Sequence, residues 1–71
     1  MLPRSLDEAE VEETLTRFDE LENGQRFVDG NNIIYEKIDP GEAMVVSGEQ
    51  AGEFVYPSPN TAVKRIHLKK Q

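Results

Sequence analysis

The side chains that could carry acid–base chemistry in this sequence are its single histidine and its carboxylates. His67 paired with Glu53 or Asp39 could form an acid–base pair, although catalysis by such a pair requires a cleft that perturbs pKa values. His67 lies near the end of a terminal strand with lysines on both sides, and a histidine in such a position is usually an exposed surface residue. The sequence has no nucleophile motif, no phosphate-binding loop and no metal-ligand spacing. We therefore predict no catalytic residue, no metal site and no cofactor.

The carboxylates could instead bind a basic surface. The first 24 residues hold eight acids against only Arg4 and Arg17. Acids on several sides of such a segment could face a basic groove on a protein partner. The residues that we predict to contact this partner are Glu8, Glu12, Glu13, Asp19 and Glu20. The alternative is a solvated face that keeps the chain soluble.

A third group combines aromatic rings with cations, which suits a nucleotide, a single-stranded nucleic acid or a peptide. Its members are Arg26, Tyr35, Lys37 and Tyr56 on one wall, with Arg65 and His67 in the basic C-terminal strand. The tyrosines could instead seal the core with their hydroxyls at its rim. The basic strand could likewise be the counter-charge of the acidic segment. The net charge of −6 argues against a general nucleic-acid binder, so a protein partner is the main expectation.

The length of the chain bounds its architecture. Seventy-one residues form one domain, and chains of this size often need a staple such as a metal, disulfides or self-association. The chain has no cysteine, so we expect a homo-oligomer as the remaining staple. No signal-peptide pattern and no apolar run of membrane-spanning length is present, which predicts a soluble intracellular protein without membrane contact.

An α-helix is predicted in the acidic segment, residues 1–22. Ser5 to Glu8 has the form of a capping box, and Val11, Leu15 and Phe18 follow at the i, i+4, i+7 spacing of one helical face. This apolar stripe is thin, so the helix forms only if the stripe packs on something. The alternative is a frayed acidic tail.

From residue 23 to residue 71 the pattern predicts a small β-barrel. Five short segments rich in apolar residues are separated by turn residues: Gln25–Val28, Ile33–Ile38, Ala43–Ser47, Glu53–Tyr56 and Ala62–Leu68. A five-stranded SH3-like barrel or a curved antiparallel meander would protect the sheet edges, and an open antiparallel sheet covered by the helix is the alternative. The predicted core consists of Phe18, Leu21, Phe27, Ile34, Ile38, Val45, Phe54, Val63 and Ile66.

The segment FDELENGQRF, residues 18–27, joins the two parts. It predicts a short apolar turn, a pivot at Gly24 and the start of the first barrel strand. Its F-x-x-L-x-x-G-x-x-F spacing, followed by Y-x-K at residues 35–37 and P-N-T-x-V at residues 59–63, resembles a group of very small bacteriophage and prophage proteins. Asn60 stands where that group has aspartate. The resemblance implies a small barrel and a phage or prophage origin, and the L-x-x-G-x-x-F part is also similar to the first strand of Tudor and KOW barrels. By analogy with small acidic phage proteins, it also raises the idea that the acidic segment imitates nucleic acid and inhibits a host factor in the host cytoplasm.

Overall fold

The structure, a computed structural model, describes residues 6–68 and consists of two short 3₁₀ helices and seven β-strands. The 3₁₀ helices span Leu6–Glu8 and Phe18–Glu20. The strands are β1 Ala9–Val11, β2 Thr16–Arg17, β3 Arg26–Val28, β4 Ile34–Asp39, β5 Glu42–Val45, β6 Phe54–Val55 and β7 Ala62–Leu68. Ser5, the predicted N-cap, lies outside the described residues, as do Lys69 and Lys70. No helix within residues 6–68 is long and apolar enough to cross a membrane.

All seven strands belong to one antiparallel sheet with the order β1-β7-β3-β4-β5-β6, and β2 also pairs with β7. The five predicted barrel strands correspond to β3–β7, with ends that differ by at most two residues. However, the predicted closed five-stranded barrel is wrong, because the sheet is open and ends at β1 and β6. Strands β3 to β6 follow one another as hairpins, and β7 returns to pair with β3.

The predicted N-terminal α-helix is also wrong, because residues 9–11 and 16–17 are extended and pair with β7. Val11 lies opposite Ile66, and the backbone N–H of Glu12 donates to the carbonyl of Arg65 (2.9 Å). A short helix with a thin apolar stripe is marginal by itself, whereas the extended chain satisfies its backbone on a strand that is already formed. The pairing also separates acids that a helix would crowd together.

Apolar side chains form two clusters. One contains Phe18, Leu21, Phe27, Ala43 and Val63, with Tyr35 and Val55 packed against it. The other contains Ala9, Val28, Ile34 and Ile66, with Val46 packed against it. Because successive strand residues point to opposite faces, Phe27 and Val28 enter different clusters.

Seven of the nine predicted core residues are buried, and two are not. Ile38 is half-buried. The prediction that Phe54 belongs to the core is wrong, since 54% of its surface is exposed. It lies in the edge strand β6, and its neighbour Val55 is the residue that points to the core.

The predicted pivot at Gly24 is confirmed. Gly24 has φ of 89°, and its N–H donates to the carbonyl of Lys37 (2.7 Å). This left-handed conformation reverses the chain between the Phe18–Glu20 helix and β3, and glycine adopts it without the strain that a side chain would add.

Candidate functional site

Lys37 is the only buried charged residue among residues 6–68, with 4% of its surface exposed. Its Nζ donates to the carbonyls of Phe18 (3.0 Å) and Leu21 (2.6 Å) and lies 4.8 Å from the centre of the Phe18 ring. The prediction that Lys37 lines an outer wall is therefore wrong. A two-residue step along β4 places Lys37 on the same face as Tyr35, where the short 3₁₀ helix leaves carbonyls that need donors.

The aromatic residues of the F-x-x-L-x-x-G-x-x-F and Y-x-K patterns meet in one place. The Phe18 ring contacts the Phe27 ring edge-on, with centroids 5.6 Å apart, and Phe27 stacks on Tyr35 at 5.3 Å. The P-N-T-x-V segment closes the same cluster, because the N–H of Phe18 donates to the carbonyl of Thr61 (2.9 Å). These motif residues therefore form part of the core, and the side chains that are open to a ligand lie at the edge of this cluster.

Asp29 and Tyr35 form a polar pair at that edge. Asp29 follows β3, and its Oδ1 accepts from the backbone N–H groups of Asn31 (2.9 Å) and Ile33 (3.2 Å). Its Oδ2 accepts from the Tyr35 hydroxyl (2.8 Å). Burial of the ring, together with the hydrogen bond to Asp29 and its negative charge, raises the pKa of Tyr35 to about 12. Tyr35 therefore stays a neutral donor at physiological pH and holds the carboxylate in place.

These two residues border an open groove of about 240 Å³, here called the aromatic groove. Its lining residues are Phe27, Asp29, Tyr35, Val55, Tyr56, Pro57, Thr61 and Val63. Tyr56 is 74% exposed, so one aromatic ring at this groove is mostly in water while the rings below it are packed. Within residues 6–68, Asp29 is the only charged residue in the lining. The arrangement can bind an apolar or flat group and a positive charge together.

The acids predicted as a docking surface do not form one helical face. Glu12 is hydrogen-bonded through Oε2 to Nε2 of His67, so it lies against the C-terminal strand. Asp19 and Glu20 both bind Arg17, and Asp19 lies 3.1 Å from its Nε. The two remaining members differ in exposure, since Glu8 is half-buried and Glu13 is exposed. Among the described contacts, Glu12 is thus the one acid of this group whose carboxylate is bonded to a side chain of the C-terminal strand.

The cations of the predicted aromatic–basic wall are likewise engaged within the protein. Arg26 forms a salt bridge with Glu36 (3.1 Å). The Arg65 guanidinium donates to Thr16 Oγ1 and to the carbonyl of Glu20, both at 3.3 Å. Of the six residues in this group, the structure brings only Tyr35 and Tyr56 to the aromatic groove.

Asp29 and Pro57 line the aromatic groove but are not among the site residues predicted from the sequence. Asp29 lies in the loop after β3, and Pro57 lies in the loop after β6. The available signal was their position in loops that follow predicted strands, because binding residues are concentrated on loops. Within residues 6–68 no group of three or more histidine or acidic side chains could hold a metal ion.

Comparisons of the chain with protein-family models, with curated proteins and with solved structures found no match.

Proposed function

We propose that this protein is a non-enzymatic binding module that docks an extended, basic segment of a partner protein in the aromatic groove. The observation that supports this most directly is Tyr56, which is 74% exposed in a groove that is also lined by the buried Phe27 and the half-buried Tyr35, whose rings stack. A partner that covers such a ring removes apolar surface from water at little cost in conformational entropy, which is why tyrosine is frequent at binding hot spots.

The charge of the groove favours a basic ligand. The part of the chain that the structure describes lines it with Asp29 and with no basic side chain, and the whole chain has a net charge of −6. Three of the lone pairs of Asp29 accept hydrogen bonds within the protein, and the carboxylate can accept one more from a ligand. Tyr56 lines the same groove, and a lysine or arginine of the ligand that reached its ring face would gain a cation–π contact of about 0.5–1 kcal/mol.

The acidic N-terminal residues then act at a distance. Glu12, Asp19 and Glu20 have partners within the protein, so their contribution is the field that attracts a basic partner. This assigns the predicted protein partner to the groove and leaves the acids a steering role.

The alternative, a nucleotide or nucleic-acid binder, has less support. Lys37 is buried, and Arg26 and Arg65 donate to groups within the protein, so few cations of the predicted wall are left to meet phosphates. A field with a net charge of −6 repels a polyanion.

Origin and cellular role are proposed on the resemblance of the sequence motifs. We propose a phage or prophage protein that acts in the cytoplasm of the bacterial host, where docking on a host protein would inhibit it. Self-association into a homo-oligomer is proposed on the size of the chain.

The experiment is a selection of random 16-residue peptides displayed against the immobilised protein, followed by fluorescence anisotropy with the selected peptides. We expect basic peptides whose affinity falls at least tenfold in Tyr56→Ala and falls in Asp29→Asn, which removes the charge but keeps an acceptor for the turn. Phe54→Ala is the matched control, since Phe54 is an exposed aromatic that does not line the groove.

The same assay distinguishes the alternatives. Equal affinities of Tyr56→Ala and the wild type would refute the groove as the binding site. If charge reversal at Glu13 and Asp19 weakens binding while Tyr56→Ala and Asp29→Asn do not, the acids are the docking surface. Tight binding of a labelled oligothymidine that weakens steeply with salt would support the nucleic-acid function instead.

A further inference from the structure

A second groove, of about 290 Å³, lies next to the first and is here called the edge groove. Its walls include Val11 and Leu15 from the N-terminal segment, Val28 from β3, and Lys64 from β7. Leu15 is 62% exposed and Val11 40% exposed. Two large apolar side chains on the same groove are therefore in water, and their burial would favour association.

The two grooves share part of their lining. Asp29 and Val63 line both of them. Phe27 lies in the aromatic groove and Val28 in the edge groove, as expected for successive residues that point to opposite faces of β3. The grooves therefore meet at Asp29, where β3 ends and the chain turns away.

The charges of the two grooves differ. Among the described residues, Asp29 is the only charged one that lines the aromatic groove, whereas the edge groove is lined by Asp29 and Lys64. A second basic residue of a ligand would be repelled by Lys64, while an apolar residue would be covered by Val11 and Leu15. The edge groove therefore suits an apolar side chain that is not followed by a cation.

We infer that the basic segment bound in the aromatic groove continues past Asp29 into the edge groove, where an apolar side chain packs against Val11 and Leu15. The inference rests on the proposed function, because it takes the same extended segment of a partner protein as its ligand. It makes the N-terminal segment, which the sequence suggested as an acidic docking face, an apolar anchor site instead.

The test uses one selected 16-residue peptide and a truncated form that retains only its basic half. Leu15→Asp should weaken binding of the full peptide at least tenfold and leave the affinity of the basic half unchanged. In ¹⁵N-resolved NMR titrations, the full peptide should shift the amides of Val11, Leu15 and Lys64, and the basic half should not. Leu15→Ala, which adds no charge, should show the same pattern, and thermal melts check that both variants fold.

The outcomes separate this inference from the function on which it rests. If Tyr56→Ala abolishes binding while Leu15→Asp and Leu15→Ala leave the full peptide unaffected, the edge groove is not part of the site and the proposed function stands. If neither position matters, or no peptide is selected, both fall. If Leu15→Asp instead dissociates an oligomer of the protein alone in sedimentation, the edge groove is occupied by a second copy and the inference is overturned.

Discussion

Replacing Lys37 by methionine tests the structural account of the buried ammonium. Methionine keeps an unbranched apolar side chain of similar length but removes the charge and all three donors. In the wild type, the Nζ of Lys37 donates to the carbonyls of Phe18 and Leu21 and faces the Phe18 ring at 4.8 Å. The substitution therefore isolates what the ammonium contributes to the free energy of unfolding.

The expected magnitude follows from the carbonyl that loses its partner. Two hydrogen bonds to a charged group, about 1.5–3 kcal/mol each, are largely offset by the cost of several kcal/mol for removing an ammonium from water. The Phe18 carbonyl also accepts from the N–H of Leu21 (3.1 Å) and stays paired. The Leu21 carbonyl accepts from Lys37 alone among the described contacts, and an unpaired buried acceptor costs about 1–3 kcal/mol. We expect a loss of about 2 kcal/mol.

The assay is urea unfolding followed by far-UV circular dichroism, with thermal melts in parallel. For a domain of this size, 2 kcal/mol corresponds to a decrease in Tm of roughly 8–16 °C. Lys64→Met is the matched control, since Lys64 is a half-buried lysine of the same sheet, and its loss should change stability by less than about 0.5 kcal/mol. A Lys37→Met protein as stable as the wild type, or more stable, would refute the reasoning and show that burial of the charge outweighs its contacts.

Four further predictions concern backbone strain, pH, charge and assembly. Gly24→Ala should cost about 1 kcal/mol because its φ is 89°, while Gly30→Ala, with no positive φ and open space around it, should cost less in the same urea assay. Folding raises the pKa of Tyr35 from 10.0 to about 12, so the folded state favours the neutral side chain. The contribution of this shift to the free energy of unfolding is fully present below pH 10 and is lost between pH 10 and 12. After allowance for partial exposure this is about 1 kcal/mol, and a Tyr35→Phe protein with the same stability profile over that range would contradict it. Glu12→Gln should lose less than about 1 kcal/mol of stability through its contact with His67, whereas the exposed Glu13 can be changed to Gln without effect; equal melting curves for the wild type and both variants would rule out that contact. Light scattering should detect self-association at micromolar concentrations, and a cooperatively folded monomer throughout would exclude it.

The strands from residue 26 onward could be predicted because their signals are local. Turn residues separate short segments that are rich in β-branched and aromatic residues, and these segments became β3–β7. The turn at Gly24 was predictable for the same reason, since only a residue without a side chain adopts its φ of 89° without strain. The buried positions Phe18, Phe27 and Ile34 followed from the same pattern.

The N-terminal segment shows where local pattern misleads. Val11, Leu15 and Phe18 have helical spacing, but a helix there would have been stable only by packing. In the structure Val11 lies opposite Ile66, which is 55 residues away along the chain. Strands β1 and β7 are too far apart in the sequence for a local pattern to include both, so neither segment by itself indicates that they pair.

The sequence by itself determined the β class, the turns, and most of the core, because those depend on the period and the intrinsic preferences of neighbouring residues. The tertiary structure alone decided that Lys37 is buried, since its ammonium needs carbonyls 16 and 19 residues earlier in the chain. It also decided that Tyr35, Tyr56 and Asp29 share a groove, because Tyr35 lies in β4, Asp29 follows β3 and Tyr56 follows β6. A residue type states which contacts a side chain can make, and only the packed chain determines which partners are within reach.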